Sequence, residues 1–121
     1  MRSAALPLLA VMVWLGCAGE APAHALLEQA SPRVGSQAPA APAEVRLTFS
    51  EPLEAAFSNL TITGPPGFGG GGRPRLAPAD RRVLVADLGK PAPAGRYDIH
   101  WRVVSVDGHV TQGDFHFTVK P

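Results

Sequence analysis

Hydrophobic residues recur at every second position along several short stretches of this chain, and glycine and proline separate the stretches. In EVRLTFS (44–50), Val45, Leu47 and Phe49 fall on one face and Glu44, Arg46 and Thr48 on the other. NLTIT (59–63) predicts a second short strand, and RRVLVADL (81–88) a third in which Val83 and Val85 share a face. The clearest alternation is GRYDIHWRVVS (95–105): Tyr97, Ile99, Trp101 and Val103 point inward, while Asp98, His100 and Arg102 point out. GDFHFTV (113–119) closes the chain with Phe115, Phe117 and Val119 inside. LLEQASP (26–32) supplies an edge strand stopped by Pro32. No stretch carries a helical period. The pattern predicts an all-β fold, and the inward set holds Trp101, Tyr97 and four phenylalanines or their strand neighbours, enough for one sandwich core.

Two segments break the alternation. SQAPAAPAE (36–44) reads as an extended Pro-Ala connector. GPPGFGGGGRP (64–74) reads as a flexible loop with no packed core of its own, and its four consecutive glycines offer no side chain to a ligand.

The chain opens differently. MRSAALPLLAVMVWLG has an early charge at Arg2 and then an apolar run from Ala4 to Leu15, too short to span a bilayer. Ala21 and Ala23 occupy the −3 and −1 positions of an A-x-A cleavage site. Residues 1–23 therefore read as a secretory signal peptide, and residues 24–121 as one small domain that begins at His24. Lipoprotein processing at Cys17 is the rival; Trp14 is a poor residue three positions upstream of a lipidated cysteine.

Composition then narrows the chemistry. Cys17, Met1 and Met12 all lie in the removed segment, so the remaining domain has neither a disulfide nor a soft sulfur ligand. The net charge is +1, and cleavage removes one charge of each sign, Arg2 and Glu20. Without basic clusters, the domain is not expected to bind nucleic acid.

Four histidines remain: His24, His100, His109 and His116. A histidine at a free N-terminus closes a six-membered chelate on one metal through its α-amine and its ring Nδ1. The amine has an ordinary pKa of about 8, so a metal competes readily with its proton near neutral pH. Two nitrogens fixed on one residue suit a tetragonal cupric ion. By itself this is also what chance cleavage before a histidine would leave. Within VSVDGHVTQG (104–113), Asp107 and His109 flank Gly108, and extended backbone would project both side chains to one side. Gly108 permits close approach of another group. Asp-Gly is equally ordinary turn chemistry. His100 and His116 fall on the polar face of two strands joined by residues 105–112. Pairing Trp101 with Phe115 would set His100 opposite His116, two ligands being too few for a structural metal site.

Taken together, SPRVGS, VRLTFSEPLEAAFS and GRYDIHWRVVSVDGHVTQGDFHFTV resemble the CopC family of periplasmic copper-binding proteins over nearly all of residues 24–121. The most specific part is Trp101 to Ser105 followed by Asp107, His109 and Gly113. The resemblance implies an immunoglobulin-like, Greek-key β-sandwich or barrel in which His24 meets the Asp107–His109 turn. It implies one cupric ion per chain, held by His24 through amine and ring, by His109 and by Asp107. Glu51, in FSEP, matches a glutamate near the site in some members, and a role behind the ligands or in the turn is expected of it. Some members carry a cuprous site in a methionine-rich loop. Here the corresponding segment is GPPGFGGGGRP, so no cuprous site is expected.

The resulting expectation is a monomeric periplasmic carrier or buffer of cupric ion, with a CopD-like membrane transporter as delivery partner and no catalytic residues. A copper-brace oxidase or monooxygenase also begins with a histidine, but needs an exposed axial position and a broad substrate surface. An adhesion-type sandwich in which His24 has no role is the third reading.

Overall fold

Every alternating stretch forms a strand. The structure, a computed structural model, describes residues 24–121; the expected signal peptide, its cleavage site and Cys17 lie outside the described residues. The strands are β1 (Leu27–Ser31), β2 (Gln37–Ala38), β3 (Glu44–Phe49), β4 (Asn59–Thr63), β5 (Arg75–Ala77), β6 (Asp80–Asp87), β7 (Gly95–Val104) and β8 (Val110–Val119). They make two four-stranded sheets, ordered β1-β3-β6-β5 and β2-β8-β7-β4. β1 is the edge strand that Pro32 predicted. Among the described residues the helical content is a single 3-10 turn, Ala55–Phe57.

The core lies between the sheets. Val45, Leu47 and Phe49 from one sheet meet Tyr97, Ile99, Trp101, Val103, Phe115, Phe117 and Val119 from the other. Phe49 packs edge-on against Trp101 at 5.1 Å between ring centroids, and Tyr97 stacks on Phe117 at 5.3 Å. Such contacts exceed simple area burial by about 0.5–1.5 kcal/mol per pair. The Tyr97 hydroxyl, deep in this core, donates to the Pro93 carbonyl at 2.6 Å. Of the phenylalanines, Phe49, Phe115 and Phe117 are buried, Phe68 is partly so, and Phe57 is exposed.

Val83 and Val85 do share a face, but it is the outer one. Their partners are Thr48 and Arg46, whereas Leu84 pairs with Leu47 on the core side. Val85 is nevertheless buried. Arg46 and Arg75 flank it on the neighbouring strands, with their guanidiniums drawn to Glu44 and Asp87. Long cationic side chains cover apolar surface in this way.

Three expectations need correction. The Pro-Ala connector contains β2, a two-residue strand parallel to β8, with Gln37 opposite Thr118. The glycine-rich loop is tied down: Gly69 and Gly72 donate to the carbonyls of Pro91 and Asp87, and Phe68 packs edge-on against Tyr97. The chain then runs straight into β5, which no alternation announced. Finally, Trp101 pairs with Gly113, not Phe115. The β7–β8 register is displaced by two residues from the predicted one, so His100 faces Asp114 and His116 faces Asp98. No His100–His116 pair forms.

Candidate metal centre

One end of the sandwich gathers the candidate ligands. Leu27 pairs with Phe49, and Val104 with Val110, so β1 starts where β3 ends and β8 starts where β7 ends. The residues just beyond these pairs are His24–Leu26, Ser50–Pro52 and the turn 105–109.

The turn is built on Ser105. Its N–H donates to the His109 carbonyl at 2.9 Å, and its own carbonyl accepts from Gly108 N–H at 2.8 Å. Closing so tight a loop puts Gly108 at φ +89°, a left-handed conformation that side-chain-bearing residues resist. Asp107 and His109 thus meet through a turn, and not through the extended backbone expected. His109 Nδ1 lies 3.1 Å from Asp107 Oδ1, with both side chains close to half exposed. Ser105 Oγ donates to the same Asp107 oxygen, and His109 N–H approaches it at 3.4 Å. The Ser105 hydroxyl, and after it the His109 side chain, hold the Asp107 carboxyl below the usual carboxylate range.

The N-terminal arm comes to this turn from the other sheet. The Leu26 carbonyl accepts from Ser50 N–H and the Leu26 N–H donates to the Ser50 hydroxyl, and Ala25 is fully buried, anchoring the arm by its methyl group. The arm delivers the His24 ring to His109, edge-on at 4.9 Å between centroids. Two residues 85 positions apart in sequence are therefore side by side.

These distances can be tested against a metal. Donors about 2.0 Å from a cation at right angles lie about 2.8 Å apart, and their imidazole centroids are about 4.5 Å apart, rising to about 6 Å when opposite. The Asp107–His109 separation of 3.1 Å and the ring separation of 4.9 Å suit that chelate with small adjustments. Among the described residues, no three His, Cys, Asp or Glu side chains are arranged to hold a metal as they stand. The donor set suggested here takes three side chains, His24, Asp107 and His109, together with the His24 backbone amine, so loading a metal would require the His24 ring and the Asp107–His109 pair to close on one point.

A family model for the CopC domain matches residues 27–120. The chain belongs to the CopC family. Copper resistance protein C of Escherichia coli is 40% identical over 113 residues, covering 88% of this chain and 89% of its own. The crystal structure of CopC from Methylosinus trichosporium OB3b matches with a TM-score of 0.71 at 31% identity, over 81% of this chain and 95% of that one. PcoC of Escherichia coli, described as a methionine-rich copper resistance protein, matches with a TM-score of 0.64 at 39% identity, over 80% and 99%. Residues 24–121 of this CopC-family chain contain no methionine at all.

His100 and His116 lie along β7 and β8, apart from the His24–His109 contact. His100 Nδ1 is bonded to Asp114 Oδ1 at 2.8 Å on the outer face of its sheet. Asp98, opposite His116, takes the Arg96 guanidinium at 3.0 Å. Glu51 is half-buried beyond β3, and its charge acts on Arg82 together with the stronger influence of Asp80. Sequence reasoning missed Ser50 and Thr111, whose hydroxyls bond the arm's backbone. For Thr111 a signal existed: it continues the inward parity of Phe115 and Phe117, where a polar residue needs a partner.

Proposed function

We propose that this CopC-family chain is an exported cupric-ion carrier or buffer that binds one Cu(II) per chain through His24, Asp107 and His109. The observation that carries the reading is the contact between the His24 and His109 rings beside the Asp107 carboxylate. An N-terminal imidazole, a second imidazole and a carboxylate form a nitrogen–oxygen set that favours the cupric over the cuprous state. The family's copper resistance proteins support copper as the cargo. Release from the signal peptide after Ala23 supplies the free amine, and a periplasmic location follows from the same export route. Delivery as a monomer to a CopD-like membrane transporter completes the proposal. No enzymatic activity is assigned.

The experiment compares residues 24–121 with the same protein carrying one additional residue before His24. The native start binds cupric ion tightly; the extended protein keeps its fold and loses that binding, because its amine is now an amide. Reducing the bound metal releases it to a modest cuprous chelator. Equal cupric affinity in the two proteins would overturn the amine–imidazole chelate, and retention after reduction would overturn the assignment to the cupric state alone.

A further inference from the structure

We infer that the hydroxyls of Ser50, Ser105 and Thr111 are positioning residues of the metal centre, and that Thr111 is the tie that sets His24 against His109. This rests on the copper reading above and deepens it.

A chain terminus has little to hold it unless it is tied down. Here the backbone around the candidate ligand goes to hydroxyls. Ser50 Oγ accepts from Leu26 N–H at 2.8 Å and donates to the His24 carbonyl at 3.3 Å. Thr111 Oγ1 donates to the Ala25 carbonyl at 2.7 Å. Ala25 follows His24 directly, and Thr111 stands two residues after His109 on β8. This one bond therefore spans from the arm to the strand that begins directly after the other imidazole.

Ser105 does the corresponding work in the turn. It is buried to 1% exposure, the one polar residue in the buried set among the described residues. Its hydroxyl sits on Asp107 Oδ1 and lies 3.3 Å from the His109 carbonyl. A buried hydroxyl on the floor of the turn restrains both candidate ligands at once. Ser105 and Thr111 each hold the inward parity of their strands, so they reach the ligand segments from the core side.

Pre-organised ligands bind more tightly because less conformational freedom is lost on binding. Groups that orient metal ligands typically alter affinity about 10–100-fold when removed. Thr111→Val keeps the shape and deletes the donor, whereas Thr111→Ser keeps the donor.

The test measures cupric affinity by chelator competition, with electron paramagnetic resonance of the complex, on residues 24–121 and its variants. Thr111→Val is expected to weaken binding about tenfold and to shift the cupric spectrum, with Thr111→Ser restoring both. Thermal unfolding shows whether each variant is folded at the temperature of titration. His109→Ala runs alongside as the reference for a lost ligand. If Thr111→Val binds like the parent while His109→Ala is impaired, the tie is refuted and the copper site stands. If His109→Ala also binds like the parent, the copper reading fails and takes the tie with it. Should Thr111→Val not fold, Ser50→Ala decides by the same affinity and spectrum: a shift upholds the hydroxyl clamp, and parental behaviour overturns it.

Discussion

Replacing Gly113 by alanine should destabilise the sandwich, and the structure sets the size of the effect. Gly113 faces Trp101 across β7 and β8. A Cβ there would stand 2.6 Å from Trp101 Cζ2 and 2.9 Å from Cε2. Carbon atoms settle at about 3.5–4.0 Å, so the indole must retreat by roughly 1 Å. It has little freedom to do so, since its other contacts include Phe49, fully buried and edge-on to it. Forcing a core ring off its position costs about 1–3 kcal/mol. Against this, alanine is favoured over glycine in a strand by about 0.5–1 kcal/mol of backbone entropy. Taking the middle of each range, the net loss is about 1.25 kcal/mol, equivalent to about 5–10 °C in Tm for a domain of this size. Thermal and urea unfolding of residues 24–121, followed by far-ultraviolet circular dichroism, measure it. Shortening the ring should relieve the clash, so Gly113→Ala should cost much less in a Trp101→Phe background. That difference is the coupling energy of the pair. An alanine variant as stable as the parent would refute the steric reasoning. So would an equal loss in both backgrounds.

His109→Ala removes one of three proposed nitrogens and should weaken cupric binding severely, while Asp107→Asn keeps the shape, loses the charge and weakens it less, with a shifted cupric spectrum. A cupric titration of both variants checks the order, and the reverse order would mean that the ligand assignment is wrong. Burial pushes the Tyr97 hydroxyl above its ordinary pKa of about 10. The folded state thus keeps this proton when the unfolded state has begun to lose it: the contribution of Tyr97 is complete below about pH 10 and falls as pH rises from there through the raised folded value. Tyr97→Phe should flatten that alkaline decline in a series of urea midpoints, at a cost near neutral pH of about 0.5–1.5 kcal/mol for the lost bond to Pro93.

In β3, β7 and β8 alternation alone determined the inward face, because burying one side of a pleated strand demands a period of two. In β6 the unbroken apolar run Val83–Ala86 left the choice of face to the pairing with β3. Residue types that could serve as donors were also legible: histidine and carboxylate side chains, with no sulfur in residues 24–121. Register was not legible. A slip of one residue would have turned Tyr97, Ile99 and Trp101 outward, so the sequence forbids it. A slip of two leaves every residue on its own face, and hydrophobic pattern cannot distinguish the two pairings. The closure of the Ser105–His109 turn makes the choice, and with it assigns His100 to Asp114 instead of His116. β2 and β5 escaped notice because two- and three-residue strands hold too few positions to show a period, and their existence depends on the neighbours that pair with them. The meeting of His24 with His109 is tertiary in the same sense. Each lies beyond the end of a strand, and only the pairing of β1 with β3 and of β7 with β8, joined by the Thr111 bond to Ala25, brings the two rings to one end of the sandwich.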